Sequence, residues 1–179
     1  MNEMLETIEE RAEYVPCVDA DRFRAAMRKV VSAVHIITTG GPAGRAGFTA
    51  SAVTALSDQP ASLLVCMNRR TATAGLFLAN AQFCVNTLCA GDGALADEFG
   101  GKGGAGGRNL TGPRWREGWR GLPALQAAAI AHHCLLVKAL EYGTHYLLIG
   151  RVVDIDGDPA DAMLAYINRR YESIDLAGS

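Results

Sequence analysis

The sequence contains no apolar run long enough to cross a bilayer. Its longest, such as Ile36-Ile37 and Leu147-Leu148-Ile149, fall far below the ~18–20 residues a spanning helix needs. It also lacks an excess of one charge. Seventeen Lys and Arg stand against 19 Asp and Glu, for a formal net charge of −2. With a pI near 6.1, that balance argues against a basic nucleic-acid binder while leaving room for a local anion site. There is no Cys-x-x-Cys pair among the five cysteines, and an odd number suits a reducing compartment. Cys66, Cys84 and Cys134 lie in apolar runs and read as small core residues. The opening Met1-Asn2-Glu3-Met4-Leu5-Glu6 has neither the basic nor the apolar region of a signal peptide, so the cytoplasm is the expected location. The sequon Asn109-Leu110-Thr111 is then coincidental.

Several catalytic signatures are missing too. No G-x-S-x-G elbow supports a hydrolase triad. Lys102 is followed by Gly103, which rules out a Walker A loop. Gly101-Lys102-Gly103-Gly104-Ala105-Gly106 matches G-x-G-x-x-G only in letters. Asp97-Glu98-Phe99 precedes it where a strand is required, and Arg108-Asn109-Leu110-Thr111-Gly112-Pro113 follows where a helix must start. Adjacent His132 and His133 point to opposite faces of a strand, and no partner set with zinc spacing exists, so no metal is expected.

What is present is a composition able to build a core: 179 residues, 49% hydrophobic and 20% charged, the size of one domain. Residues 1–20 are acidic and read as an N-terminal arm, with the domain running over 21–175. Phe23, Ala26, Met27, Val30, Val31 and Val34 form the stripe of an amphipathic helix, with Asp19 or Asp21 placed to cap it. Strand texture follows at Val34 to Thr39, Gly47 to Ser57, Ser62 to Met67 and Phe83 to Leu88, then at Ala131 to Leu140 and Tyr146 to Ile155. Short helices are expected over Thr71 to Ala79 and from Asp92 to Phe99. Met163, Ile167, Arg170, Tyr171 and Ile174 share a closing helical face. Residues 100–121 read as a long irregular loop, glycine-rich at first and then basic. About six strands and four helices, with the strands grouped, favour a mainly β protein, a barrel with peripheral helices, over a doubly wound sheet.

Four places carry candidate chemistry, each with two readings. Gly47-Phe48-Thr49-Ala50-Ser51-Ala52-Val53 has little bulk. It either lets neighbouring strands pack tightly or offers a backbone surface to a flat aromatic ligand. Asn68-Arg69-Arg70-Thr71 lies between a strand and a short helix, as a solvated capped turn or as a phosphate site. His145, at the mouth of an apolar strand, is either a satisfied structural residue or a group that holds a carboxamide or phosphate. Arg170 and Tyr171 either pack and solvate the last helix, or pair with a phosphate and stack on a ring.

Taken in order, these pieces resemble the flavin reductase family, the reductase components of two-component flavin monooxygenases, over about residues 21–175. The resemblance rests on Phe23-Arg24-Ala25-Ala26-Met27-Arg28, Gly47 to Ala52, Cys66-Met67-Asn68-Arg69, Phe83 to Leu88, Gly121-Leu122-Pro123-Ala124-Leu125 and Gly143-Thr144-His145-Tyr146. It is nearest to reductases serving aromatic hydroxylases. It implies a split β-barrel homodimer, with flavin contacts at Phe48, Thr49, Ala50, Ser51 and Val53. It also implies phosphate contacts at Asn68, Arg69 and Thr71, and support from Asn86. His145 matches the family's nicotinamide-side histidine and Tyr171 its C-terminal tyrosine.

The activity so implied is hydride transfer from NADH, or NADPH, to FAD, or FMN. The aromatic-hydroxylase likeness leans to FAD, and the lack of a clear basic cluster for a 2′-phosphate leans to NADH. Reduced flavin would then serve a separate, transiently bound monooxygenase in aromatic compound degradation. The alternative is a split-barrel protein that binds or delivers flavin without catalysis. The nicotinamide side, His145 with Tyr171, separates the two.

Overall fold

A computed structural model describes residues 15–101, 109–157 and 160–176. The described residues up to Val30 and those from Val31 onward form two compact units. In the first, α1 (Ala20–Met27) starts where Asp19 accepts a hydrogen bond from the Arg22 amide at 2.8 Å. Its apolar stripe is shorter than the sequence spacing suggests. The Lys29 and Val30 amides bond carbonyls three residues back, the tightening that ends a helix, and Val34 is a buried residue of the second unit.

The second unit is built on an antiparallel seven-stranded sheet in the order β3-β2-β6-β9-β10-β5-β4. The strands are β2 (His35–Thr39), β3 (Ala46–Ala50), β4 (Val53–Asp58), β5 (Ala61–Asn68), β6 (Gln82–Thr87), β9 (Ile130–Tyr142) and β10 (His145–Asp156). The edge strands β3 and β4 are consecutive in sequence, joined only by Ser51 and Ala52. The expected single strand from Gly47 to Ser57 is therefore two strands, broken at the small residues Ser51 and Ala52.

Strand alternation divides the core in two. One face carries Ile37, Phe48, Val65, Met67, Phe83, Val85, Cys134 and Leu148, drawn from both halves of the sheet, in a single buried cluster that includes Phe77. Residues from opposite ends of the sheet meet there because the sheet is rolled. The other face of β2, β6 and β9, with Ile36, Cys84 and Ala131, is covered by α3 (Gly93–Phe99), Leu110, Trp115 and Leu122 to Leu125. Between 115 and 125 lie the short strands β7 (Trp115–Glu117) and β8 (Pro123–Leu125), with a 3-10 turn between them.

The chain end is where the sequence misleads most. Met163, Ile167, Arg170, Tyr171 and Ile174 do not share a helix. They lie on a hairpin of β11 (Ala162–Ile167) and β12 (Arg170–Asp175), with β1 (Ser32–Ala33) completing a three-stranded sheet. Asn168 and Arg169 both take positive φ, 49° and 65°, as a two-residue hairpin turn of type I′ requires. Among the described residues there are twelve strands and three α-helices, against the six and four expected. The third helix, α2 (Ala74–Asn80), begins three residues after Thr71.

Candidate active site

A cavity of about 490 Å³ opens beside the β3–β4 break. Phe48, Thr49, Ala50, Ser51 and Ala52 form one wall. Cys66, Asn68, Arg70, Thr71, Ala72 and His145 form another, and Phe99 and Gly100 close a corner. The rolled sheet explains the convergence: His145 opens β10 directly opposite Asn68, where β5 ends. Phe48 is held from behind by Phe77, edge to face at 5.2 Å. The Thr49 hydroxyl donates to the Ala96 carbonyl at 2.6 Å, which fastens this wall to α3.

The turn after β5 is set by two non-equivalent arginines. The Asn68 side-chain oxygen accepts from the Arg70 amide at 2.9 Å, and the Asn68 carbonyl accepts from the Thr71 amide at 3.0 Å. Arg69 is drawn off to the β9–β10 turn. Its amide donates to the Thr144 carbonyl at 3.0 Å, its guanidinium pairs with Glu141 at 2.9 Å, and it lies 5.8 Å from the centre of the Tyr146 ring. Arg70 has no side-chain hydrogen bond or ion pair among the described residues, and its side chain lines the cavity.

The His145 Nδ1 shares a hydrogen bond of 2.9 Å with the Thr144 hydroxyl. Among the described residues Nε2 has no partner, so the ring presents a free nitrogen at the cavity wall. Burial pushes the Cys66 thiol up, so it lines the cavity as an uncharged group. Cys84 and Cys134 are core residues as expected, whereas Cys66 is only half-buried.

Of the residues singled out from the sequence, the cavity gathers Phe48, Thr49, Ala50, Ser51, Asn68, Thr71 and His145. Tyr171 lines an adjoining cavity of about 210 Å³ that shares Thr49, Ser51 and Gly100 with the first. Burial and the Asp97 carboxylate, which accepts its hydroxyl at 2.7 Å, raise the phenol above its ordinary range. The ring also packs against Tyr166 at 5.4 Å.

The structure leaves four more residues outside both of these cavities. Val53 packs against the barrel core, and Arg69 faces away as described. Arg170 is exposed and pairs with Glu172 at 2.6 Å. Asn86 is fully buried, donating to the Ile36 carbonyl at 3.0 Å and accepting from the Leu125 amide at 2.7 Å. Sequence reasoning did not single out Cys66, Ala72, Phe99 and Gly100 as lining, whereas Ala52 and Arg70 lie inside two of the segments it named. The Gly100 to Gly107 insertion lies almost wholly outside the described residues.

His132 and His133 do point to opposite faces. His133 Nε2 is 3.0 Å from Asp156, and with Asp154 the three donor atoms lie within 4.8 Å. The Arg116 guanidinium already holds Asp156, so a cation occupies this cluster.

The small, flat wall, the free cation of Arg70 and the open His145 nitrogen suit a planar heteroaromatic ring carrying a phosphate. Comparison with known proteins agrees. A family model described as the flavin reductase like domain matches residues 27–175. An FMN reductase (NADH) RutF from Cronobacter sakazakii is 43% identical over 152 residues, covering 85% of this chain and 91% of its own. Among solved structures, the flavin reductase PheA2 superposes with a TM-score of 0.78 at 25% identity, covering 89% of this chain and all of its own. BorF, the flavin reductase component of a bacterial two-component tryptophan halogenase, shares the fold with a TM-score of 0.82 at 24% identity, over 88% of this chain and 99% of its own. The mainly β fold is thus a split barrel of this type, and the chain belongs to the flavin reductase family.

Proposed function

We propose that this chain oxidises NADH and passes the hydride to a flavin bound in the 490 Å³ cavity. The observation that carries this reading is the pairing of the Ala50-Ser51-Ala52 wall with the free groups of Arg70 and His145 on one cavity. A bound flavin supplies the hydride-accepting chemistry, and the protein supplies position and charge. The small wall admits a flat ring to van der Waals contact. Arg70, Thr71 and the Asn68 turn stand ready for the phosphate, and His145 Nε2 can hold a nicotinamide carboxamide beside the ring. Stacking two rings at ~3–3.5 Å is the proximity contribution to the rate.

The relatives' name favours FMN, whereas the sequence resemblance leaned to FAD. FMN is the flavin proposed, with FAD sharing its ring and first phosphate. NADH is the proposed donor on the same name. Reduced flavin then leaves for a separate monooxygenase, an arrangement that BorF exemplifies in a halogenase system.

A homodimer is part of the proposal. By strand alternation, Leu64 and Cys66 on β5, Leu147 and Ile149 on β10 and exposed Leu140 on β9 share the outward sheet face. This apolar strip ends at the cavity wall, where Cys66 belongs to both. Such a strip is what a second copy would cover.

The test is NADH consumption by the purified protein, followed by loss of nicotinamide absorbance with and without added FMN or FAD. Consumption that saturates with added FMN supports the proposal. Flavin retained without any consumption would replace it with the flavin-carrier reading, and neither binding nor consumption would refute both.

A further inference from the structure

The sequence resemblance implied a phosphate contact for Arg69, yet this residue lies outside the main cavity and its contacts converge on the turn that leads into His145. Gly143 and Thr144 alone join β9 to β10, and Gly143 takes a φ of +53°. His145 pairs with Asn68 on the last rung between β10 and β5. A ladder's end is where local opening comes most easily. Arg69 carries the contact one step further. Its amide donates to the Thr144 carbonyl at 3.0 Å, and its Nη1 donates to the Gly143 carbonyl at 3.4 Å. Its Nη2 pairs with Glu141 at 2.9 Å. From the turn so held, the Thr144 hydroxyl meets the His145 Nδ1 at 2.9 Å, and among the described residues it has no other partner.

We propose that Arg69 is a positioning residue for hydride transfer: it clamps the Gly143-Thr144 turn, and Thr144 then fixes the His145 ring with Nε2 towards the cavity. The inference rests on the flavin reductase reading, which gives Nε2 the nicotinamide carboxamide. Two features set this role apart from others. Both terminal nitrogens of the Arg69 guanidinium are already engaged by this chain, whereas Arg70 supplies the free cation of the cavity. The Arg69 and Glu141 side chains are 44% and 56% exposed, and an ion pair so open to water adds little to global stability. What the pair fixes is the place of the turn.

The test combines steady-state kinetics with a spectroscopic signature. With saturating FMN, Arg69→Gln is expected to raise the KM for NADH about fivefold, the scale of one lost hydrogen bond, with FMN affinity and melting temperature close to wild type. Thr144→Val should match it, and Thr144→Ser should restore wild-type behaviour. A double-mutant cycle decides whether the effect runs through His145: in a His145→Ala background, Arg69→Gln should change the KM by less than about twofold. The imidazole nitrogen-15 signals of His145 in flavin-free protein, identified by their loss in His145→Ala, give a readout that needs no turnover. They should report one tautomer in wild type and a mixture in Arg69→Gln and Thr144→Val. A fivefold rise that persists without His145 would make Arg69 a direct ligand of the dinucleotide and overturn the proposal. Unchanged KM and unchanged nitrogen signals would overturn it too, as would a fall in melting temperature with parallel loss of FMN binding, which marks a merely structural residue. Wild-type protein that fails to oxidise NADH would overturn the reductase reading, and the nitrogen signals would still decide whether Arg69 and Thr144 hold the ring.

Discussion

Asn86 offers the sharpest separation between a cofactor role and a structural one. The family resemblance places it in support of the flavin, yet its side chain is fully buried on the outer face of β6, away from the cavity. Its amide donates to the Ile36 carbonyl at 3.0 Å and to the Thr38 hydroxyl at 3.3 Å, and its oxygen accepts from the Leu125 amide at 2.7 Å. It thereby ties the 122–125 segment to β2 and β6. In Asn86→Ala the Leu125 amide is left buried without an acceptor, at about 1–3 kcal/mol, and each further lost bond adds about 1 kcal/mol. The expected loss is therefore at least ~3 kcal/mol, a large part of the ~5–15 kcal/mol stability of an ordinary domain. With a urea dependence of about 2 kcal/mol per molar, the unfolding midpoint should fall by roughly 1.5 M at fixed protein concentration. Asn86→Asp keeps the acceptor for Leu125 but sets a buried carboxylate oxygen against the Ile36 carbonyl, and should cost at least as much. FMN affinity, measured below the onset of unfolding, should change less than threefold. A midpoint within about 0.3 M of wild type, roughly 0.6 kcal/mol at that slope, combined with a tenfold loss of FMN affinity would refute the reasoning and restore the cofactor role.

Stability should also fall on mild acidification. Burial and the charge of His132 hold His35 at about 4, and burial and the charge of His133 lower His132. The folded state keeps His35 neutral while the unfolded chain protonates it near pH 6.5. Its contribution is thus complete above that pH and lost as the pH falls towards 4. At about 1.4 kcal/mol per tenfold change in proton affinity, His35 alone accounts for roughly 3 kcal/mol. Urea midpoints from pH 7 to 4.5 should drop steeply in wild type and clearly less in His35→Leu; parallel curves would contradict the assignment. Gly150→Ala should be severely destabilising, because the added methyl overlaps the Phe83 ring and sits 2.9 Å from the Cys134 Cβ. An overpacking cost of ~1–3 kcal/mol or more should appear in a thermal melt, and an unchanged melting temperature would mean that the core yields there. His145→Ala should raise the KM for NADH and lower kcat, with FMN affinity nearly intact; unchanged steady-state constants for NADH would remove His145 from the nicotinamide side.

How much of this was legible in the sequence depends on how local the determining contacts are. The central strands were readable because Ile36-Ile37, Leu63-Leu64-Val65 and Phe83-Cys84-Val85 are β-branched or apolar runs bounded by turn residues. The C-terminal hairpin was not. Met163, Ile167, Tyr171 and Ile174 happen to fall at helical spacing, and β11 buries the adjacent Leu164 and Ala165 together, without the alternation that betrays a half-exposed strand. Asn168 was the available signal, as a non-glycine residue type that accepts positive φ more readily than most.

The same distinction governs the site. The small wall from Ala50 to Ala52 is a property of composition and can be read directly. Which of two adjacent arginines faces the cavity cannot, because Arg69 is pulled away by Glu141 and by the Thr144 carbonyl, more than 70 residues along the chain. Arg70 is left facing the cavity by default, its amide held by Asn68 and its guanidinium by nothing among the described residues. The phosphate-binding character proposed for the turn was therefore visible in its residue types. Its direction was decided by the β9–β10 turn, whose contact with β5 exists only once the sheet has rolled up.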